Sequence, residues 1–141
     1  MSDRLTIRAI RGAIQIDVDS PDAIREATHE LVAAVIERNG LCQDDIVSVF
    51  FTTTPDLTSQ FPALAARDAG LTDVPLICAT EIDVPGAMPK VIRLLAHVES
   101  TRPKSQIQHV YLRGAAAMRP DLALAGVTVH FAPFPERINS W

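Results

Sequence analysis

The chain has 141 residues, 48% of them apolar, and a formal net charge of -4. That length suits one domain able to bury a core without metal or disulfide staples, and no uncharged apolar run approaches the ~20 residues of a bilayer span. An acidic balance disfavours nucleic acid as the main partner, so neither a membrane nor a nucleic-acid role is expected.

The opening stretch "MSDRLTIRAIRG" lacks an apolar block with a small-residue cleavage site, which makes the cytoplasm the expected location. "LTIRAI" alternates apolar and polar residues and reads as a first strand ending near Gly12. Ser20, Pro21 and Asp22 form a helix start: hydroxyl cap, proline at the first helical position, acid in the first turn. Ile24, Ala27, Thr28, Leu31 and Val35 then recur at helical spacing until Asn39 and Gly40 stop the run.

"DDIVSVFFTTT" is rich in β-branched and aromatic residues and reads as the second strand. Thr54, Pro55 and Asp56 look like a capped helical turn, and Pro62 opens a helix, "PALAARDA", closed by Gly70. "VPLICAT" is the third strand, followed by a turn at Pro85 and Gly86. Pro89 is read as the start of a third helix, "PKVIRLLAHV". "IQHVYLR" is the fourth strand, and "GAAAM" with "RPDL" suggests a short helical or irregular piece. In the final segment, Phe131, Phe134 and Trp141 are too apolar for an inert tail. The expectation is one domain over 1–141, a core of about 5–122, and a tail over 123–141 that is a candidate lid. A β-α-β-α-β-α-β order makes a sheet with helices packed on it, and spacing leaves parallel and mixed pairing both open.

Familiar catalytic signatures are missing. Cys42 and Cys78 form no C-x-x-C and read as reduced thiols. His29, His97, His109 and His130 lack metal-ligand spacing, so no metal is expected. There is no G-x-G-x-x-G, Walker lysine loop or G-x-S-x-G elbow.

Several charged residues nevertheless sit oddly. On the expected third helix Val91, Leu94, Leu95 and Val98 form the core stripe, and Arg93 points roughly opposite, flanked by Ile92 and Ala96. A subunit contact, a pocket wall and a plain snorkelling arginine all fit that position. Glu81 follows an almost wholly apolar strand. Alternation sets Cys78 and Thr80 on one face and Glu81 on the other, so the two share a site only if the strand twists or ends first. Tyr111 shares a face with His109 and Arg113, opposite Val110 and Leu112. Arg11 precedes Gly12, where backbone can approach a ligand closely. Arg67 reads as a surface arginine, and Cys78 as a small hydrophobe with nothing nearby to activate it as a nucleophile.

Taken in order and spacing, "IRAIRGA", "TPDL…FPA…AR", "VPLICATEIDVPGAMPKVIR", "HVYLRGA" and "RPDL" resemble the monofunctional AroH-class chorismate mutases of the Bacillus type, from about Ile7 to Leu122. The resemblance implies an α+β fold: a mixed sheet with helices packed on it, assembled as a homotrimeric pseudo-α/β barrel with a site at each subunit interface. It implies cofactor-free conversion of chorismate to prephenate, on the route to phenylalanine and tyrosine. Carried over by motif, Arg93, Glu81 and Arg11 would be catalytic. Tyr111, Cys78, Arg67, Phe61, Ala63, Leu76, Met118 and Arg119 would bind substrate. The chain departs from the pattern at Leu64, where a basic residue is common, and at Ile77, where a hydroxyl residue is frequent. "PGA" replaces a turn usually written with two glycines. Two alternatives stay open: a Rid-type imine hydrolase of similar fold, and a non-catalytic trimer binding a small carboxylate.

Overall fold

The computed structural model describes residues 4–123. The Ser20 hydroxyl accepts the Ala23 N–H at 3.1 Å and Pro21 takes the first helical position, so α1 (Pro21–Arg38) starts where its capping chemistry places it. Its buried stripe is Ile24, Ala27, Thr28, Leu31, Val32 and Val35. At the other end Asn39 Nδ2 donates to the carbonyls of Val35 and Gln108, and Asn39 Oδ1 accepts the Gln108 N–H. One side chain thus closes the helix and aligns the approach to the last strand. Gly40, at φ +60, makes the turn that follows.

Among the described residues five strands form a mixed sheet in the order β3-β2-β4-β1-β5. They are β1 (Thr6–Gln15), β2 (Ile46–Thr53), β3 (Leu76–Thr80), β4 (Val91–Ser100) and β5 (Val110–Leu112). The central β4 runs antiparallel to β1 and β2, whereas β2 pairs β3, and β1 pairs β5, in parallel. Helix α2 (Pro62–Asp68) links β2 to β3. A 3-10 turn over Arg113–Met118 and the short α3 (Pro120–Ala123) follow β5.

The structure corrects the reading of "PKVIRLLAHV": it is strand, not helix. Ile92, Leu94, Ala96 and Val98 are buried, while Arg93, Leu95 and His97 alternate with them on the other face. The run satisfies both periods over a short window. Neighbouring strands on both flanks decide for period two. Arg93 still points away from the main core, but through strand alternation, and both Val91 and Leu95 leave the expected stripe. Two smaller corrections follow. The fourth predicted strand shrinks to Val110–Leu112, because the Asn39 side chain takes the Gln108 N–H and carbonyl before it and a 3-10 turn begins at Arg113. Thr54 to Leu57 is a single turn closed by Leu57 N–H to Thr54 O at 3.1 Å.

Helix α1 covers one face of the sheet, burying Ile10, Ile14, Phe51, Ile92, Leu94 and Val98. A Cβ on Gly12 would lie 3.1 Å from Leu31 Cδ1 and Leu94 Cγ, so this glycine lets strand and helix close up. The opposite face carries no helix across β3, β2 and β4 among the described residues. It holds a small cluster of Ala13, Val91, Tyr111 and Ala115, with Met88 and Met118 beside it. Further along, Ile7, Phe50 and Ile77 are 54%, 48% and 58% exposed. Among the described residues no helix is long and apolar enough to cross a membrane. The expected tail, with Phe131, Phe134 and Trp141, lies outside them.

Candidate active site

Strand register lines up the charged residues of the uncovered face. One row across the sheet runs Ile77, Phe50, Leu95, Arg11; the next runs Ala79, Thr52, Arg93, Ala13, Tyr111. Glu81 stands one step past β3, its N–H still paired to Thr53 O at 2.8 Å, so its side chain falls on the Thr52 side. There Glu81 Oε2 accepts the Thr52 hydroxyl at 2.6 Å and lies 3.0 Å from Arg93 Nε. The two side chains are 13% and 16% exposed. Being mostly buried makes such a pair sensitive to geometry, since neither charge is fully hydrated.

Tyr111, 5% exposed, is the junction of the cationic side. Burial pushes its phenol pKa upward. The guanidinium groups of Arg11, Arg119 and Arg93 oppose this, Arg11 also through a hydrogen bond. Strand register sets Arg93 and Tyr111 on either side of Ala13, with Arg11 in the next row of the same face. Arg119 is held by Asp121, with Nη2 to Oδ2 at 3.0 Å and Nε to Oδ1 at 3.3 Å. Met118 packs on the same cluster. The structure therefore brings together Arg93, Glu81, Arg11, Tyr111, Met118 and Arg119.

It does not bring the remaining candidates to them. Cys78 pairs with Phe51 of the core face and accepts the Ala63 N–H on Sγ at 3.3 Å, at the start of α2. Burial raises its thiol pKa, with the Ala63 N–H acting the other way, so the sulfur stays a neutral packing group. Leu76 and Ala63 pack against the α1-side core. Phe61 is 68% exposed beside Cys78 at a cleft of about 320 Å³, and Arg67 is exposed at the end of α2. Strict alternation along β3 separates Cys78 from Glu81, and the strand ends too late to undo it. The candidate residues therefore fall into two groups on opposite faces of the sheet.

Sequence reasoning missed the groups that hold this arrangement. Thr52 reaches Glu81 only through the parallel β2–β3 pairing, and one threonine in "FFTTT" gives no local sign of it. Asp56 accepts the Lys90 N–H, and Thr54 Oγ1 donates to Asp56 at 2.5 Å while accepting the Val91 N–H at 3.0 Å. This latch fixes the entry to β4 three positions before Arg93, with Lys90 held at φ +53. A cleft of about 360 Å³ between it and Glu81 is also lined by Ile82, Asp83 and Met88. Across the molecule Asp19 accepts the N–H and hydroxyl groups of Thr58 and Ser59, tying down the loop that leads to Phe61.

The arrangement offers fixed cations, one oriented carboxylate and apolar walls. That equipment suits a small anionic substrate whose reaction needs placement and charge stabilisation.

Comparison with known proteins agrees with this chemistry. The family Chorismate mutase type I matches residues 7–122. The chorismate mutase AroH of Thermus thermophilus is 48% identical over 120 residues, covering 84% of this chain and 98% of that protein. Its counterpart from Bacillus subtilis is 40% identical over 121 residues, covering 85% and 95%. A solved chorismate mutase from Clostridium thermocellum superposes with a TM-score of 0.77 at 46% identity, over 78% of this chain and 98% of that one. With nearly the full length of these relatives matched and the same mixed sheet beneath it, this chain belongs to the type I chorismate mutases, and it is an isomerase.

Proposed function

We propose that this enzyme converts chorismate to prephenate, on the route to phenylalanine and tyrosine, in sites formed where the protomers of a cytoplasmic homotrimer meet. The observation that carries the shared site is the division into two halves. Arg93, Glu81, Arg11, Tyr111, Met118 and Arg119 lie on the uncovered face, while Phe61, Ala63, Arg67, Leu76 and Cys78 lie by α2. The halves form one pocket when the uncovered face of one protomer meets the α2 side of the next. Exposed Ile7, Phe50 and Ile77 give that meeting an apolar surface to bury.

The rearrangement is a concerted [3,3] shift in which nothing is protonated, attacked or oxidised. The enzyme's contribution is then geometry and electrostatics. Arg11, helped by Tyr111, grips the side-chain carboxylate, because a planar guanidinium fixes orientation as well as position. This holds the enolpyruvyl arm over the ring in a reactive chair. As the C–O bond breaks ahead of C–C formation, negative charge grows on the ether oxygen, and Arg93 stabilises it more than it stabilises the ground state. Glu81, oriented by Thr52, accepts a hydrogen bond from the ring hydroxyl. Cys78 of the adjoining protomer adds a weak contact there.

The test follows chorismate disappearance by ultraviolet absorbance, with an imino-acid substrate in parallel to separate the hydrolase alternative. Turnover of chorismate alone is expected. Refolding a mixture of Arg93→Ala and Arg67→Glu chains should regenerate activity, because about a quarter of cyclic interfaces then pair two intact halves. No recovery from two individually impaired variants would exclude the shared site.

A further inference from the structure

His109 precedes β5 and lies where the β1–β5 ladder runs out. Parallel pairing begins at Gly12 with Val110, one residue too late to supply a strand carbonyl for the N–H of Arg11. That N–H donates instead to His109 Nδ1 at 3.0 Å. The imidazole stands in for a carbonyl at the residue whose side chain carries the proposed carboxylate grip. We propose that His109 is a positioning residue, a neutral hydrogen-bond acceptor that fixes the Arg11 backbone and so aims its guanidinium at the substrate carboxylate.

The surroundings maintain that state. An Nδ1 that accepts must be unprotonated, so the ring carries its proton on Nε2. Burial disfavours a charged ring, and Arg11 on β1 and Arg119 just before α3 add like-charge repulsion. The pKa is pushed down from 6.5 to about 4. A protonated ring would lose the Arg11 bond and place another cation among the arginines. This role rests on the proposed reading of Arg11 as a substrate ligand and extends it to a group that touches no substrate.

The variants His109→Leu and His109→Asn, measured beside Arg11→Ala, test the idea. Leucine removes the acceptor; asparagine restores an oxygen near the Nδ1 position. In His109→Leu, KM for chorismate should rise roughly tenfold with a smaller change in kcat, since a ground-state carboxylate contact is misplaced. His109→Asn should recover most of that affinity, and His109→Leu should add little in an Arg11→Ala background. Melting curves and circular dichroism confirm that each variant folds. In the wild-type enzyme, nitrogen-15 correlation spectra should show a neutral Nε2–H ring at about pH 5.5, where an ordinary histidine is mostly charged.

Equal kinetics for the leucine and asparagine variants, with Arg11→Ala severely impaired, would overturn the positioning role alone. So would a charged ring at that pH. Wild-type kinetics in Arg11→Ala would remove the reading of Arg11 itself, and the inference with it.

Discussion

Phe50 and Phe51 are neighbours in β2, yet Phe51 is fully buried under α1 and Phe50 is 48% exposed on the opposite face. The two faces of the sheet obey different rules. The covered face is specified by burial: Ile10, Gly12, Ile14, Val49, Phe51, Ile92, Leu94, Ala96 and Val98 point inward, α1 closes over them, and polar inward residues such as Arg8, Thr53 and Ser100 are confined to strand ends. The other face mixes arginines, a glutamate and large apolar side chains that a lone protomer leaves open to water. Such a surface suits the proposed meeting of two protomers, which would put chemistry and assembly on one side.

Breaking the charged centre of the uncovered face has the largest expected effect. Arg93→Ala should lower kcat by at least two to three decades, about 3–4 kcal/mol of transition-state stabilisation, with the oligomer intact by light scattering. Arg93→Lys should recover only part, since charge returns without the fork. A near-normal rate in Arg93→Ala would end its assignment as the ether-oxygen ligand.

The two phenylalanines sharpen the contrast between faces. Phe51→Ala should cost about 3–5 kcal/mol in denaturant unfolding, as a core cavity does. Phe50→Asp should leave the protomer's circular dichroism intact while sedimentation shows dissociation and activity falls with it. If the Phe50 variant instead unfolds the protomer, the two faces are not separable. A smaller loss is expected for Thr52→Val, roughly tenfold in kcat/KM, the cost of one hydrogen bond to a charged group.

The weakest expected effects are on acid stability. Folding keeps His109 neutral down to about 4 against an ordinary 6.5, so the folded chain binds fewer protons than the unfolded one. That contribution is complete above about pH 6.5 and declines as the pH falls to about 4. Asp19 is shifted below 3.8, chiefly by the Ser59 hydroxyl, so its contribution is present above that value and lost below it. Melting temperatures should fall through the upper window in wild-type protein and less in His109→Asn, whereas Asp19→Asn should change only the lower one.

Much of this was legible in the order of residues. Ser20, Pro21 and Gly40 marked α1, and its buried stripe matches the helical spacing apart from the added Val32. Local chemistry writes such elements, so one sequence suffices. The central strand was misread because "VIRLLAHV" carries both periods, and only the strands on either side choose between them. At the site, Arg93 and Glu81 could be singled out as charges in apolar company. Their ion pair, Thr52 beneath it and the histidine behind Arg11 depend on parallel pairings between distant segments, for which no local pattern exists.

Strand β4 alternates core residues with Arg93, so folding and reactivity share a single register. Deleting one residue between Lys90 and Arg93 would turn the guanidinium inward and an isoleucine or leucine outward. Selection on this strand should therefore tolerate exchanges of side chain and reject changes of length. The loop over 82–89, which ends at the Asp56 latch, lies outside that register and can change length without turning Arg93 inward.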